Sequence, residues 1–372
     1  MERVIKATRP EMASYEAYIE EIKSIWETGS MTNNGPKVRC FREKLMAYMS
    51  CQHVDLFVNG HSASLLALIA LGLPEGGEVL TSPFTFASTT NAIVQCGLIP
   101  VFCDIDKTYN VDIESIRKNI TSKTCAIMVP HIFGIPCHVE EIDKIAQEYN
   151  LKVVYDGAQA FGTKINGKNI ATYGDVTMFS LHAIKIFNAV EGGVLAYKDA
   201  KLKEKFELYR NFGISYGSTN DVEVAGINAK MTEFSAAMGL VNLPELDGVI
   251  KRRKELADYY REVFDDILGI DVYPYEDNID YNYAYFPVII DASKCDKTRD
   301  EIWTELGKHH IETRKLYDTL TCDFSYYKNK PYKRDVKYAT EITKKCLDFP
   351  MYSSLTEDDI DYIGETLRKI IR

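Results

Sequence analysis

The chain contains the runs Lys152-Val-Val-Tyr155, Val176-Thr-Met-Phe179 and Gly193-Val-Leu-Ala-Tyr197, three short apolar segments that each end at polar residues or glycine. Four similar runs precede them, and helical patterns separate several of these segments. The earlier runs are Val54–Val58, Glu78–Leu80, Ile99–Cys103 and Thr124–Val129, and the helical patterns are Ser62–Leu73, Ser88–Gln95 and Val139–Tyr149. This alternation predicts an α/β fold with a mostly parallel central sheet and helices on both faces. Ligands of such sheets bind at the carboxyl ends of the strands.

The character of the sequence changes after residue 240. A charged helical pattern covers Leu246–Phe264, and its basic run Lys251–Lys254 is expected to be a solvated face. Shorter elements follow, with strands predicted at Ile270–Val272 and Tyr283–Ile290 and helices at Arg299–Leu306 and Glu357–Ile371. A length of 372 residues favours roughly two domains. We therefore predict a large domain over residues 1–250 and a smaller C-terminal α+β domain over residues 251–372.

Composition excludes several classes of protein. The 44 Lys and Arg against 54 Asp and Glu give a net charge of -10, which argues against a nucleic-acid partner. The nine cysteines include no C-x-x-C pair, so neither a metal site nor a disulfide framework is expected. The chain has no signal-peptide pattern and no apolar stretch of membrane-spanning length. These features predict a cytoplasmic protein without a membrane contact.

The first candidate site is Val58-Asn-Gly-His-Ser-Ala-Ser64, where a strand turns into a helix through small residues. Free N–H groups at the start of such a helix and the Ser62 hydroxyl can hold a phosphate. Ser62 can also be a plain N-cap of the helix. A third interpretation is a serine hydrolase with Ser62 as nucleophile, although Ser64 stands where that motif has its last glycine.

Two further candidates follow the central strands. Asp156 ends the run that begins at Lys152, where a carboxylate is either functional or the cap of the next helix. Lys185 lies in the mostly apolar stretch Thr177–Lys185 between two buried strands, whereas most lysines are solvated. Together with Ser62 and Ser180 these residues are the parts that pyridoxal phosphate requires, namely a phosphate seat, an anion at the pyridine nitrogen and an amine for the aldehyde.

The sequence resembles the DegT/DnrJ/EryC1/StrS sugar-nucleotide aminotransferases, which are pyridoxal phosphate enzymes of fold type I. The resemblance extends from Thr32-Asn-Asn-Gly-Pro36 to Phe349-Pro-Met-Tyr352. It rests on Ser82-Pro-Phe-Thr-Phe-Ala-Ser-Thr-Thr-Asn-Ala92, Val154-Tyr-Asp-Gly-Ala-Gln-Ala160, Phe179-Ser-Leu-His-Ala-Ile-Lys185, Glu191-Gly-Gly193, Gly226-Ile-Asn228 and Glu233-Phe-Ser-Ala-Ala-Met-Gly239. Two positions differ, because His61 stands where the family commonly has Thr and Leu181 where it often has Phe.

The resemblance implies a role for each matching residue. Lys185 would hold the cofactor aldehyde, and Asp156 would pair with the pyridine N1. Phe86 would stack on the ring, and Gln159 would contact its hydroxyl side. The phosphate would be bound by Ser180 and the amides around His61 and Ser62. Asn228, at the end of the long polar loop Ile214–Asn228, would enter the site of a neighbouring subunit, which implies a homodimer with shared sites. The predicted sugar-nucleotide contacts are Asn33, Arg314, Lys315 and Tyr317.

The implied reaction moves an amino group from glutamate to a nucleotide-linked keto sugar, with pyridoxamine phosphate as the intermediate form of the cofactor. The retained Lys185 favours transfer, because relatives with histidine at this position are dehydratases. The stretch His131-Ile-Phe-Gly-Ile-Pro136 is most like that of members acting at C4 of a dTDP-4-keto-6-deoxyhexose. Such a product would serve surface polysaccharide or glycoside synthesis. A cofactor-binding regulator without turnover is the alternative, since a fold alone does not establish catalysis.

Overall fold

The computed structural model describes residues 4–215 and 221–371. The middle of the predicted polar loop, residues 216–220, lies outside the described residues. The α-helices are α1 Tyr15–Thr28, α2 Pro36–Met49, α3 Gly60–Leu71, α4 Ala87–Gln95, α5 Ile113–Asn119, α6 Val139–Tyr149, α7 Lys201–Tyr209, α8 Glu233–Asn242, α9 Leu246–Phe264, α10 Ala292–Cys295, α11 Arg299–Lys308, α12 Lys337–Ile342 and α13 Glu357–Ile371. The strands are β1 His53–Phe57, β2 Glu78–Thr81, β3 Ile99–Cys103, β4 Thr124–Pro130, β5 Lys152–Asp156, β6 Lys164–Ile165, β7 Lys168–Asn169, β8 Val176–Ser180, β9 Gly193–Tyr197, β10 Ile270–Val272, β11 Ile279–Asp280, β12 Phe286–Ile290, β13 Arg334–Asp335 and β14 Cys346–Phe349.

The main sheet has eight strands in the order β1-β9-β8-β5-β4-β2-β3-β13. Strand β9 is antiparallel to both of its neighbours, and the remaining pairs are parallel. Both faces are covered, because buried apolar side chains form one cluster on each side of the strands. The predicted α/β fold with a mostly parallel sheet is confirmed.

Sheet register brings the ends of the central strands to the same level. Asp156, the last residue of β5, is opposite Pro130 on β4 and Met178 on β8. Ser180 ends β8 two residues further along. Side chains that follow these strands therefore meet at one edge of the sheet, as the parallel arrangement requires.

The C-terminal part contains the antiparallel sheet β10-β12-β14, against which α9 packs. Two of its segments join the N-terminal part. Strand β13 adds to the edge of the main sheet next to β3, and β11 pairs with β6. The predicted division into domains 1–250 and 251–372 stays a prediction. Its boundary would fall inside α9, which runs without a break through residue 250.

One expectation about α9 is wrong. Within the basic run Lys251–Lys254, Arg253 is only 2% exposed rather than solvated. Its guanidinium Nη2 lies 2.8 Å from Glu11 Oε1 and its Nη1 donates to the Ala284 carbonyl at 3.2 Å. The partner carboxylate comes from near the start of the chain, so the local charge pattern could not indicate the burial.

The nine cysteines are free thiols. Among the described residues, no helix is both long enough and apolar enough to cross a membrane. In the same part of the chain, no group of three His, Cys, Asp or Glu side chains is arranged to hold a metal ion.

A surface ion pair should make stability depend on pH. His138 Nε2 and Asp106 Oδ2 are 2.6 Å apart. The hydrogen bond to Asp106 raises the pKa of His138, against the effect of burial. Burial alone would raise the pKa of Asp106, but hydrogen bonds from His138 and Thr108 outweigh it and lower that pKa.

The sign of each contribution follows from linkage. Stabilisation through His138 is complete below its unfolded pKa of about 6.5 and is lost as pH rises through the raised folded value. Stabilisation through Asp106 is present above its unfolded pKa of about 4 and is lost as pH falls through the lowered folded value. His138→Gln should therefore destabilise the protein most between about pH 4 and 6.5 and least in alkaline buffer. Thermal unfolding across pH measures this, with His309→Gln as an exposed control; a pH-independent difference would contradict it.

Candidate functional site

A cavity of about 590 Å³ opens at the carboxyl ends of β5 and β8. Eight of the residues predicted from the sequence line it, together with residues from the C-terminal part of the chain. The eight are His61, Phe86, Asp156, Gln159, Ser180, Lys185, Arg314 and Tyr317. The chain thus gathers most of the predicted site into one place.

Asp156 is held by hydrogen bonds to both carboxylate oxygens. Thr89 Oγ1 donates to Oδ2 at 2.6 Å, and the Ala158 N–H donates to Oδ1 at 3.1 Å. Thr85 and Thr89 are themselves hydrogen-bonded at 2.9 Å. No helix begins after β5, so the interpretation of Asp156 as a helix cap is wrong. The carboxylate is 6% exposed, at the wall of the cavity, where it can face a protonated ring nitrogen.

The start of α3 forms the second part of the wall. Asn59, rather than Ser62, is the N-cap, because its Oδ1 accepts the Ser62 N–H at 2.8 Å. A Cβ on Gly60 would come within 3.0 Å of Ser180 Cβ, so glycine lets the helix start lie directly against the end of β8. The first turn of a helix beside a serine favours an anion such as phosphate.

His61 connects two helices and does not contact Ser62 through either ring nitrogen. Its Nδ1 is 2.9 Å from Ser88 Oγ and its Nε2 is 2.9 Å from Gln95 Oε1, both on α4. Both ring nitrogens are therefore engaged away from Ser62. A nucleophilic serine needs an adjacent base, so this geometry disfavours the hydrolase interpretation.

Lys185 lies in the loop between β8 and β9 and is half-buried at the cavity. Its backbone N–H donates to the His182 carbonyl at 2.9 Å, which closes a turn of this loop. On another wall of the cavity, Phe86 is 70% exposed. A phenylalanine so exposed in a cavity wall offers a free face for a flat ligand.

Gln159 follows Asp156 on the same turn and is held at both ends of its amide. Oε1 accepts the Phe133 N–H at 2.6 Å, and Nε2 donates to the Tyr317 hydroxyl. Burial, with smaller contributions from Tyr285 and Asp156, raises the pKa of Tyr317 well above its ordinary value. The phenol therefore keeps its proton at neutral pH.

His131 is a buried neutral ring in the wall of the cavity. It stacks on Tyr155 with centroids 4.9 Å apart, and burial lowers its pKa to about 3. Nδ1 accepts the Cys137 N–H at 3.1 Å, which assigns the ring proton to Nε2. The backbone N–H of His131 donates to the Asp156 carbonyl at 2.9 Å, so this residue also fixes the end of β5.

Arg314 and Lys315 differ in position. Arg314 lines the cavity, and its Nε and Nη2 donate to Asp348 Oδ2 at 2.9 and 2.6 Å. Its guanidinium also lies over the Tyr285 ring, 5.1 Å from the centroid. Lys315 instead stacks on Trp303 and pairs with Asp300 at 3.3 Å, away from the residues that line the cavity. Arg314 remains a predicted nucleotide contact, with its charge already partnered by a buried carboxylate.

Two predicted site residues lie elsewhere on this chain. Asn33 is exposed in the turn before α2, with φ at +65°. Asn228 is exposed and its backbone bridges to Asn211. The cavity lining includes neither of these residues, nor Ser62. Their roles stay predictions.

Sequence reasoning missed several residues of the site. The sequence predicts no role for Thr89, which holds Asp156, or for Asn59, which is the N-cap of α3. Asp348 and Tyr285 come from the C-terminal part and carry no local motif. Of these residues, only Asn59 has a signal in the sequence. Asparagine is a preferred N-cap, and Asn59 stands just before a helical pattern.

The residues of the cavity fit pyridoxal phosphate. A carboxylate, an amine, an aromatic face and a helix start that glycine opens beside a serine all belong to one cavity. These are the four elements that the cofactor requires.

Comparisons with known proteins agree with this site. The chain is 37% identical over 371 residues to the dTDP-4-amino-4,6-dideoxy-D-glucose transaminase of Shigella dysenteriae, covering 100% of both chains. A crystal structure of DesI in the presence of its TDP-sugar product has a TM-score of 0.93 and 29% identity, and the match covers 100% of this chain and 94% of that one. The crystal structure of NtdA from Bacillus subtilis with bound cofactor PMP has a TM-score of 0.88 and 26% identity, with 96% and 81% covered.

The model of the DegT/DnrJ/EryC1/StrS aminotransferase family matches residues 13–368. This range includes every residue of the cavity. The match agrees with the resemblance found in the sequence and confirms both the transaminase class and pyridoxal phosphate as its cofactor. The chain belongs to the DegT/DnrJ/EryC1/StrS aminotransferase family.

Proposed function

We propose that the chain transfers the amino group of glutamate to C4 of a dTDP-4-keto-6-deoxyhexose, giving an amino sugar for surface polysaccharide or glycoside synthesis. The observation that carries the proposal is the placement of Asp156, Gln159 and Lys185 on one cavity. The 37% identical relative named for a dTDP-4-amino sugar supports the choice of substrate, as does the neighbour solved with a TDP-sugar product.

When bound, pyridoxal phosphate supplies an electron sink and carries the amino group between substrates. Asp156 holds a proton at the pyridine N1 by its negative charge, which is fixed in place by Thr89 and Ala158 before any reaction. Lys185 Nζ would hold the aldehyde of the cofactor. As a free amine, it would also take up and return the proton that the substrate carbon exchanges during transfer.

Other residues orient the cofactor and substrate. Phe86 presents its exposed ring as a stacking face, and Ser180 with the start of α3 binds the phosphate. Arg314 enters the cavity from the C-terminal part and is proposed to face the nucleotide sugar, and Tyr317 lines the cavity as well. The keto sugar is held through its diphosphate, which favours charge-assisted contacts.

The direct test is a substrate panel. The purified protein is incubated with pyridoxal phosphate, glutamate and dTDP-, UDP- and GDP-linked keto sugars, and the products are weighed by mass spectrometry. Amination of a dTDP-4-keto-6-deoxyhexose is expected. Equal rates with a keto sugar that lacks the nucleotide would refute the assignment, and bound cofactor without any turnover would favour the regulator.

The working unit is proposed to be a homodimer with shared sites. Asn33 and Asn228, the two predicted contacts that are exposed away from the cavity, each lie near an exposed apolar side chain. Met31 is 59% exposed near Asn33, and Phe212 is 49% exposed beside the Asn211–Asn228 bridge. A second copy that covered these side chains would bring the two asparagines to a neighbouring site.

Subunit mixing tests the shared site. Asn228→Ala should weaken cofactor retention, and Lys185→Ala should be inactive. Hybrid dimers would combine Lys185 of one subunit with Asn228 of the other in one intact site. Because random exchange makes half of the dimers hybrid, a 1:1 mixture should recover about one quarter of the wild-type rate. Full activity of a monomer, or no recovery after verified exchange, would overturn the shared site.

A further inference from the structure

Tyr317 is hydrogen-bonded to a second residue of the cavity wall, Gln159. Its hydroxyl accepts a hydrogen bond from Gln159 Nε2, although the two residues are 158 positions apart in the chain. The other end of the amide is fixed as well, because Oε1 accepts the Phe133 N–H at 2.6 Å. An N–H donor at Oε1 determines which end of the amide is oxygen. The orientation of the Gln159 side chain therefore depends on both contacts.

The phenol ring is itself held firmly. It packs edge-on against Phe84 with centroids 4.9 Å apart, and against Phe133 at 5.9 Å. The backbone of Tyr317 has φ at +59°, a conformation that non-glycine residues adopt only when their surroundings impose it. These contacts fix the phenol oxygen as an anchor for the amide rather than leave it as a mobile contact for a sugar nucleotide.

We propose that Tyr317 is a positioning residue that acts on the cofactor through Gln159. The amide nitrogen carries two protons, and Tyr317 accepts one of them. The second proton is thereby directed into the cavity, toward the ring hydroxyl of the cofactor. The inference rests on the proposed contact between Gln159 and that hydroxyl, and it changes the role of Tyr317 from a nucleotide contact to a support for the cofactor.

The geometry also explains how the C-terminal part could influence the cofactor. Asp156 ends β5 and Gln159 belongs to the turn that follows it, whereas Tyr317 belongs to a segment beyond α11. The Gln159–Tyr317 hydrogen bond links these segments at the ring end of the site. A shift of the C-terminal segment would therefore change the contact between Gln159 and the ring hydroxyl of the cofactor.

The test measures cofactor binding in the absence of any sugar nucleotide. Tyr317→Phe removes the hydroxyl and keeps the packed ring. We expect the dissociation constant of pyridoxal phosphate to rise about fivefold, the effect of one ordinary hydrogen bond. We also expect the pH midpoint of the absorbance of the bound cofactor to shift, because the contact with the ring oxygen changes. Tyr259→Phe is the matched control, since its hydroxyl bonds Asp361 at 2.8 Å on the surface.

A double-mutant cycle distinguishes a Tyr317 that supports Gln159 from a Tyr317 that contacts the sugar nucleotide. In a Gln159→Ala background, Tyr317→Phe should have no further effect on cofactor binding, because its route to the cofactor is gone. Additive losses would overturn the inference, as would unchanged cofactor binding with a raised KM for the sugar nucleotide. Thermal unfolding of each variant verifies that the fold is intact. A wild-type protein that binds no cofactor would instead refute the proposed function, a result distinct from a silent Tyr317→Phe.

Discussion

Lys185→Ala is expected to lower the rate of amino transfer by at least about 10³-fold, within the range of 10² to 10⁴ for a positioned acid–base group. The loss follows from two roles of one amine. In the proposed mechanism, Lys185 Nζ would hold the cofactor aldehyde and would also move the proton during transfer. No other lysine lines the cavity in the part of the chain that the structure describes, so none can take over. Single-turnover and steady-state rates with glutamate and the keto sugar measure the effect.

A matched variant shows whether the loss is specific. Lys205 is exposed on α7, where its Nζ donates to the Ala70 carbonyl at 2.8 Å, and Lys205→Ala should keep the wild-type rate. Borohydride treatment of the wild-type protein should attach the cofactor to Lys185, visible by peptide mass. A yellow, active Lys185→Ala protein, or attachment at a different lysine, would remove Lys185 from the mechanism.

Much of the fold could be predicted because its central strands are buried on both faces. Such strands are continuous apolar runs, so their positions stand out without any partner information. The runs at Ile99–Cys103 and Gly193–Tyr197 coincide with β3 and β9, and each of the others differs by one residue at one or both ends. The predicted helix at Leu246–Phe264 also has the same bounds as α9.

Elements that depend on distant partners could not be predicted. Strand β13 has two residues and exists only because it pairs with β3, more than 200 positions earlier. The buried state of Arg253 depends on Glu11 in the same way. No local pattern indicates a strand or a buried charge whose partner lies elsewhere in the chain.

In the candidate site, too, the residues with a local signal could be predicted and those that depend on distant partners could not. Asp156 and Lys185 were recognisable because each follows a strand end or lies in an apolar stretch where a charge is unusual. The supports of the site were not, since Thr89 reaches Asp156 across 67 positions and Tyr317 reaches Gln159 across 158. The sequence therefore indicates the candidate reactive groups, and the structure indicates what holds them.

Asp156→Asn is expected to lower the rate by about 10² to 10³-fold, the usual cost of removing one preorganised electrostatic contact to a reacting group. The amide cannot balance a proton at the pyridine N1, so the ring accepts electrons poorly. The fold should tolerate the change. An asparagine Oδ1 can still accept the Ala158 N–H, and its Nδ2 can donate to the Thr89 hydroxyl, which can rotate to accept.

Asp175→Asn provides the control for Asp156→Asn. Asp156 ends β5, and the carboxylate of Asp175, the residue before β8, contacts the opposite end of β5. Asp175 Oδ2 accepts the Val153 N–H at 2.8 Å near the start of β5, far from the cavity lining. Its amide variant should have the wild-type rate and, at most, a modest loss of stability. The Asp156 variant should bind the cofactor with an altered absorbance and transfer amino groups slowly. A folded Asp156→Asn protein with a rate within twofold of wild type would contradict this prediction. The Asp156 carboxylate would then only accept its hydrogen bonds from Thr89 and the Ala158 N–H, and a different group would have to balance the proton at the pyridine nitrogen.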